Sequence, residues 1–202
     1  MDSKLNGLLS HYILALILLE VHWRPVFLAP LNSRCYEDLD NLKSFAELLE
    51  MEATTLLMAY HDSFSDSTPD DVIDSTISGM KFYEKLQDIY IKNELFSLHF
   101  LKVDEYLQDL FGNEEPIKKL LPRFKDRLID LSKRLQHILT TLHPDTPLPA
   151  KPEALTFNHD YDYDKKKYGW HVIDRVKYWL SQVAQVLDMG KEVCYEVISL
   201  DF

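Results

Sequence analysis

One stretch of the sequence decides the fold. Residues 117–142 read IKKLLPRFKDRLIDLSKRLQHILTTL, and their apolar side chains recur at alternating three- and four-residue steps. The stripe consists of Ile117, Leu121, Phe124, Leu128, Leu131, Leu135, Ile138 and Leu142. A stripe with this period lies along one face of a helix that packs against other helices. The stretch therefore predicts a helix of a bundle.

Three other stretches carry the same period. Their stripes are Leu39, Leu42, Ala46, Leu49, Ala53, Leu56 and Tyr60; then Phe82, Leu86, Ile89, Phe96, Phe100, Val103, Leu107 and Leu110; and last Ile173, Val176, Leu180, Val183 and Leu187. We expect helices over residues 36–61, 76–111, 116–143 and 164–189. Gly112 is suited to a left-handed stop after the second helix, and Pro122 either kinks the third helix or marks its true first turn.

The connections between these helices run long, short, long. At about 1.5 Å per residue the first helix is roughly 39 Å long, and the connection that follows it can extend about 45 Å alongside. The link at residues 112–115 is too short to do the same, whereas residues 144–163 are long again and contain four prolines. The pattern predicts an all-α, long-chain four-helix bundle in up-up-down-down order with two long crossover loops. The alternative is an up-down-up-down bundle whose long loops merely wander.

The composition excludes several classes of protein. The chain has 202 residues, of which 46% are hydrophobic, so a single folded core is favoured over a disordered chain. Its net charge of -11 argues against nucleic acid or an anionic membrane surface as a partner, since both attract basic proteins. The basic run Lys165–Lys167 lies next to three aspartates, and we interpret it as the solvated start of a helix.

The N-terminus carries an apolar run. Tyr12–Leu19 contains no polar interruption beyond its tyrosine and follows Lys4, which is typical of the core of a secretory signal peptide. The run is too short to cross a bilayer. No clear cleavage site follows it, so the alternative is an uncleaved apolar segment that packs on the body. We expect residues 1–30 to form this segment and residues 31–202 to form one bundle domain, without membrane insertion of the mature protein.

Motifs of enzymes and of metal sites are missing from the sequence. It has no HExxH, no glycine-rich phosphate loop and none of the Glu-x-x-His pairs with which helical bundles bind metals. His99 and His137 stand on predicted helices beside core positions, and we interpret them as partly exposed side chains rather than ligands. The sequence therefore predicts no catalytic residue, no cofactor and no metal ion.

The start of the last helix resembles a known family. Residues 163–180 read YDKKKYGWHVIDRVKYWL. Three cues carry the resemblance. They are an aromatic-glycine pair that ends at Gly169, an apolar residue three positions after this glycine, which is Val172, and a tryptophan ten positions after it, which is Trp179. These cues resemble helix D of the ciliary neurotrophic factor, cardiotrophin and cardiotrophin-like cytokine group, within the interleukin-6 family. Over the other three helices the resemblance is architectural.

The resemblance implies a secreted ligand of cell-surface receptors and no enzyme. In that family a Phe-x-x-Lys motif opens helix D and contacts the leukaemia inhibitory factor receptor. The matching residues here, aligned through Gly169, are Tyr163 and Lys166. Tyrosine in place of phenylalanine keeps the ring and adds a hydroxyl, which puts the choice of receptor in question. Other faces of the family's bundle bind glycoprotein 130, the shared signal-transducing chain, and a non-signalling alpha receptor, and binding triggers JAK/STAT signalling.

The same segment has the composition of a binding surface. Aromatic side chains beside a cation are enriched in binding hot spots, and Tyr161, Tyr163 and Trp170 lie near Lys166 in the sequence. We therefore expect Tyr163, Lys166 and Trp170 to bind receptor. The alternative is that Tyr163 and Trp170 only cover the loop and the end of the bundle.

The two cysteines flank the predicted bundle. Up-up-down-down order puts the start of the first helix and the end of the fourth at the same end, so Cys35 and Cys194 can pair if their Cα atoms lie within about 7 Å. The leading hypothesis is a secreted cytokine of the neurotrophic factor type that works by bringing receptor chains together. An intracellular all-helical scaffold or adaptor is the alternative from another class, and a bundle enzyme or metal carrier is the third.

Overall fold

The computed structural model describes residues 34–60, 72–112, 115–192 and Cys194. Within that part of the chain all regular structure is helical and there is no strand. The helices are α1, residues 34–59; α2, Phe82–Leu110; α3, Pro116–Leu142; and α4, Asp162–Gly190. The predicted signal segment at residues 1–30 and most of the first connection lie outside the described residues.

The predicted stripes form the core. Every stripe residue of α1 and α4 is buried, and on α2 and α3 only Phe82, Leu110 and Leu142, at helix ends, are half-buried. Each fully buried Leu, Ile, Val or Phe side chain contributes about 1.5–3 kcal/mol. The largest fully buried side chain is Trp179, whose ring centroid lies 5.1 Å from that of Phe96 on α2. The predicted all-α bundle is thereby confirmed.

The predicted start of α2 at residue 76 is too early, since the helix begins at Phe82. Gly79 has a φ of 114°, which breaks the helix before Phe82. Glu84 then reaches back, and its Oε2 accepts hydrogen bonds at 2.9 and 3.2 Å from the backbone N–H groups of the two residues before the helix. These bonds satisfy donors that a helix start leaves open. Local capping therefore fixes the boundary.

The end of α2 also differs from the prediction. Gly112 is not in the left-handed region, and Phe111 ends the helix in an extended conformation with φ −125° and ψ 147°. That backbone turns the Phe111 ring onto Tyr60, the residue after α1, with 5.6 Å between ring centroids. The helix therefore ends at Phe111, whose ring packs on Tyr60, and not through a glycine in the left-handed region as predicted. Pro122 lies inside α3 and does not mark its first turn.

Contacts between helix ends define how the helices meet. Cys35 at the start of α1 forms a disulfide with Cys194 just beyond α4, with a Cα–Cα distance of 5.9 Å. Next to it, Lys43 Nζ lies 2.8 Å from Asp188 Oδ1. Toward the other end of α1, Tyr60 packs against Gly169 near the start of α4. Opposite ends of α1 and α4 are therefore in contact.

Three further pairs of helices, α1 with α3, α2 with α3 and α2 with α4, meet in the same manner. Glu52, late in α1, pairs with Arg127, early in α3, at 2.6 Å. Tyr83 at the start of α2 packs on His143 just after α3, with ring centroids 4.0 Å apart. The ring of Phe82 at the start of α2 fills the space where Gly190 at the end of α4 has no side chain.

The connection between α3 and α4 follows α2. Lys151 Nζ lies 2.9 Å from Glu94 Oε2, and further along the connection Phe157 lies 6.2 Å from the His99 ring. Two residues of the connection, Lys151 and Phe157, thus contact α2. It delivers the chain to the start of α4, where the predicted site begins.

Candidate functional site

The three predicted receptor-binding residues lie on one side of the start of α4. Tyr163, Lys166 and Trp170 are spaced by three and four residues, which places them on one helix face. We call them the α4-start patch. Tyr163 is 55% exposed, whereas Lys166 and Trp170 are half-buried. Trp170 also packs against the core, so it covers the bundle as well as reaching its surface.

The first turn of α4 begins two residues earlier than predicted. Tyr161 is the residue before the helix, in an extended conformation with φ −96° and ψ 138°, and it is 74% exposed. Asp162 and Asp164 occupy the first turn. Carboxylates there interact favourably with the positive end of the helix dipole and with its open N–H groups. The acidic residues thus explain the earlier start, and they leave Tyr161 and Tyr163 facing solvent.

Two of the three lysines after this turn contact aromatic rings, so the basic run is not solvated throughout as predicted. Lys166 Nζ lies 5.5 Å from the centroid of the Phe111 ring, at the end of α2. Lys165 Nζ lies 5.8 Å from the centroid of the Tyr106 ring and 3.9 Å from Asp162 Oδ1, with only 18% of its side chain exposed. An ammonium group within about 6 Å of an aromatic face is attracted by the ring quadrupole. The structure therefore holds two lysines against aromatic rings.

Five aromatic rings pack together on the buried side of the start of α4. We call them the ring cluster: His99 and Tyr106 on α2, Phe157 and His159 on the connection, and Tyr168 on α4. Tyr168 is fully buried at the centre, with ring centroids 5.0 Å from His159, 5.3 Å from Phe157 and 5.8 Å from Tyr106. Such contacts contribute beyond area burial, typically about 0.5–1.5 kcal/mol per aromatic pair. The cluster joins α2 to the connection and to α4, which follow much later in the sequence.

Hydrogen bonds orient the rings of the cluster. The Tyr168 hydroxyl lies 2.6 Å from His99 Nδ1. The Tyr106 hydroxyl accepts a hydrogen bond from the backbone N–H of His159 at 2.9 Å and donates to Asn158 Oδ1 at 3.1 Å. Buried hydroxyls with partners are stabilising, whereas the same groups without them would be costly. These bonds fix the last residues of the connection, and with them the point at which α4 starts.

His99 was expected to be partly exposed, and that expectation is wrong. It is 3% exposed, and burial lowers its pKa to about 4, because an apolar environment disfavours the charged imidazolium. The sequence did contain a signal, since His99 stands between Phe96 and Val103 in the apolar stripe of α2. His137 on α3, by contrast, has a side chain that is 68% exposed.

Gly169 allows α1 to approach the start of α4. A Cβ at this position would overlap the hydroxyl of Tyr60 and would lie 3.2 Å from its ring carbon Cζ. Tyr60 is 4% exposed and also contacts Phe111. The glycine next to Trp170 therefore has a packing role, and the ends of α1 and α2 meet the start of α4 behind the patch.

A cleft between α1 and α3 has a volume of about 290 Å³. Leu42 and Ile138 form apolar parts of its lining, and Asp38, Arg134 and His137 are among its polar groups. Asp38 Oδ2 and His137 Nε2 are 4.0 Å apart. Across the described ranges no three His, Cys, Asp or Glu residues are grouped to hold a metal ion. The cleft is a surface feature on the α1 and α3 face.

The comparisons with protein-family models, with curated proteins and with solved structures give no match for this chain. The resemblance to the interleukin-6 family thus remains an expectation from the residues around Gly169. Among the helices that the structure describes, none has the length and apolarity needed to cross a membrane.

Proposed function

We propose that this protein is a secreted helical cytokine of the interleukin-6 type. It binds receptors of the leukaemia inhibitory factor receptor and glycoprotein 130 type, and by bringing them together it starts JAK/STAT signalling. The mechanism is geometric: a rigid bundle presents separate faces to separate receptor chains and performs no chemistry. The observation that carries the proposal is the α4-start patch, in which an exposed aromatic ring lies beside a lysine at one end of the bundle.

The composition and support of the patch favour binding. Interface hot spots are enriched in aromatic residues and depend on side chains that are held in place before the partner arrives. Lys166 is held by the Phe111 ring, and Trp170 by the core. Tyr163 has an exposed, rigid ring, which loses little conformational entropy on binding. The patch therefore offers an anchor and a positioned charge.

The proposed topology is up-up-down-down with two long crossovers. In support of this order, the contacts fit an antiparallel arrangement of α1 with both α3 and α4. Glu52 in the second half of α1 pairs with Arg127 in the first half of α3, and Cys35 at the start of α1 is bonded to Cys194 beyond the end of α4. The start of α2 likewise contacts the end of α4 and the residue after α3. These contacts fit α1 and α2 running one way and α3 and α4 the other. The contacts of residues 151–159 along α2 fit a crossover, and the first crossover lies mostly outside the described residues.

The disulfide supports the proposed extracellular location. Disulfides persist in secreted proteins and are rare where glutathione keeps thiols reduced. Cys35 and Cys194 close almost the whole described chain into one loop. An intracellular scaffold would gain little from this pair of cysteines.

The receptor assignment is tested with a double variant, Tyr163→Ala with Lys166→Ala. We expect its affinity for the leukaemia inhibitory factor receptor ectodomain to fall by about 2–4 kcal/mol, roughly 30- to 1,000-fold, because truncation removes both the anchor and the charge. The measurement is surface plasmon resonance with the purified full chain, followed by a STAT reporter in responsive cells. Urea unfolding of the same sample shows whether the bundle is intact.

Lys177→Ala with Tyr178→Ala is the matched control. Tyr178 is 57% exposed on the same helix, about as much as Tyr163, but it lies outside the patch. This pair is expected to leave receptor affinity unchanged. A folded Tyr163 and Lys166 variant with full affinity would remove the site assignment. A wild-type chain that stays in the cytosol and binds no receptor ectodomain would contradict the proposed function and favour the scaffold.

A further inference from the structure

Residues 160–164 read Asp-Tyr-Asp-Tyr-Asp. The helix start accounts for Asp162 and Asp164 and the patch uses Tyr163, but neither gives a role to Tyr161. Tyr161 and Tyr163 are 74% and 55% exposed. Each phenol has a carboxylate immediately before it and immediately after it. Most other tyrosines of the described chain lie in the core or at its edge, so the two form an exposed phenol pair in an acidic setting.

One of the lysines that follow, Lys165, pairs with Asp162, with 3.9 Å between Nζ and Oδ1. Lys165 and Lys166 also lie against the rings of Tyr106 and Phe111. Asp160 and Asp162 are exposed. An enzyme that approaches from solvent therefore meets two exposed phenols, with an exposed carboxylate on each side of Tyr161.

The backbone at Tyr161 suits modification by a second protein. It is extended, and the connection that precedes it forms no helix or strand, so an extended segment can enter an enzyme cleft without unfolding α4. Tyr163 lies in the first helical turn, which must open to present its phenol in the same way. Opening of a terminal turn costs little free energy compared with global unfolding.

We propose that Tyr161 is a site of tyrosine O-sulfation, with Tyr163 as a second acceptor, and that a sulfotransferase with a basic substrate cleft recognises them through the flanking carboxylates. This inference rests on the proposed function, because the chain must pass through the secretory compartments where such transferases act. Charge complementarity between the acidic segment and a basic cleft would guide the encounter and set the register.

The reaction is a sulfonate transfer without oxidation or reduction. The phenolic oxygen of Tyr161 attacks the sulfur of a nucleotide phosphosulfate donor. A new bond joins that oxygen to sulfur, the bond between sulfur and the oxygen of the donor phosphate breaks, and the nucleoside bisphosphate leaves with the electron pair. The phenol proton passes to a base of the transferase. The product is an aryl sulfate with one negative charge.

The product charge suits its position. A sulfate on Tyr161 would lie near the positive end of the α4 dipole, where an anion is stabilising. On Tyr163 it would add an anion to the α4-start patch itself. A receptor surface that contacts the modified patch is therefore expected to carry Arg or Lys, which bind such oxyanions through charge-assisted hydrogen bonds.

The test uses the full chain in two arms. In the first, purified chain from a host without the modification is incubated with a tyrosylprotein sulfotransferase and the phosphosulfate donor. In the second, the chain is secreted from cells that have this enzyme. Intact-mass and peptide mass spectrometry are expected to find one or two added SO3 groups on the peptide that contains Tyr161 and Tyr163. The group is expected to survive phosphatase, which a phosphate would not.

Three variants make the result specific. Tyr161→Phe with Tyr163→Phe is expected to abolish the addition. Asn at positions 160, 162 and 164 is expected to lower the cell-free rate about tenfold or more through loss of charge complementarity. Tyr178 serves as an internal control, since it is 57% exposed but has Lys177 and Trp179 as neighbours, and it is expected to remain unmodified.

The outcomes separate the two proposals. A secreted chain without sulfate at Tyr161 or Tyr163, or a group that phosphatase removes, overturns the sulfation and leaves the cytokine proposal standing. A chain that is sulfated in the cell-free arm but retained in the cytosol contradicts the cytokine proposal and, with it, sulfation in the cell. Equal modification of Tyr178 would show that the acidic setting has no role and would also overturn the inference.

Discussion

The two ends of the bundle are held together by different chemistry. At one end the Cys35–Cys194 disulfide joins α1 to the segment after α4, and Lys191 bridges Asp40 and Asp188 beside it. At the other end the ring cluster, Tyr60 and Phe111 pack α1, α2 and the connection against α4. The first end combines a covalent bond with surface charges, and the second combines buried rings with hydrogen bonds.

This difference indicates how stability and binding are divided along the molecule. The ion pairs at the disulfide end shift the pKa of Asp188 downward, through hydrogen bonds from Lys43 and then Lys191, but they are exposed and exposed pairs contribute little. The disulfide therefore dominates there. The described residues of the other end contain no disulfide that links one helix to another, and the geometry of that end depends on packing. The α4-start patch lies at this second end, so its shape is sensitive to the rings beneath it.

Removal of the disulfide should have the largest effect on stability. For Cys35→Ser with Cys194→Ser we expect the free energy of unfolding to fall by about 3–5 kcal/mol, since the bond closes a loop with a sequence separation of 159 and restricts the unfolded chain. Urea unfolding measures the change. Hydrogen exchange should show that the start of α1 loses protection before the ring cluster does.

A reducing agent supplies the control for this prediction. Reductant should lower the stability of the wild-type chain to nearly that of the double variant and should leave the variant unchanged. If the variant unfolds at the wild-type urea concentration, the contrast between a covalent and a packed end is wrong.

Low pH should destabilise the end of the bundle that contains the ring cluster. His99 has a pKa of about 4 in the folded chain against 6.5 for an ordinary histidine. Above about pH 6.5 neither state binds the proton and the stability is complete. As the pH falls below 6.5 the unfolded chain takes up a proton that the buried ring resists, so the free energy of unfolding decreases until about pH 4. The loss is about 3 kcal/mol.

The variant His99→Gln isolates this contribution from that of the carboxylates. Glutamine can still bond the Tyr168 hydroxyl but does not titrate, so the stability profile between pH 6.5 and pH 4 should become flatter than that of the wild type. His137→Gln, at an exposed position of α3, should leave the profile unchanged. Parallel profiles for the wild type and His99→Gln would mean that acid does not act through the ring cluster.

The sequence predicted the bundle well because a helical stripe is a local pattern. The stripe of α1, from Leu39 to Tyr60, is buried throughout, and α3 runs within one residue of its predicted end. The start of α2 was also open to local reasoning, since Glu84 stands three residues after Lys81 and can cap the helix, and Gly79 precedes it. The apolar stripe also begins only at Phe82, so both local patterns agree with the observed boundary and neither supports a start at residue 76.

The structure beneath the patch could not be predicted in the same way. The positions of Lys165 and Lys166 depend on Tyr106 and Phe111, which lie more than fifty residues earlier in the chain. Tertiary packing, rather than local charge, decides that these two lysines lie against aromatic rings. For His99 the stripe did give a signal, but the sequence does not show which hydroxyl will meet a buried imidazole. The patch residues themselves were named from a resemblance, and their role is still a prediction.

The smallest effect tests how tightly the packed end is built. In Gly169→Ala the new methyl group would overlap the Tyr60 hydroxyl, and overpacking of this kind costs about 1–3 kcal/mol, while alanine regains up to about 1 kcal/mol of helix propensity. We expect a net loss of about 1–2 kcal/mol in the free energy of unfolding, measured with urea.

Gly112→Ala is the matched control, since no atom lies within 4 Å of its added Cβ, and its effect should stay within about 0.5 kcal/mol. If Gly169→Ala is as stable as the wild type, Tyr60 can move aside, and the end that carries the patch is looser than the disulfide end. Trp170 follows Gly169 directly, so such looseness would weaken the case for a preorganised receptor surface.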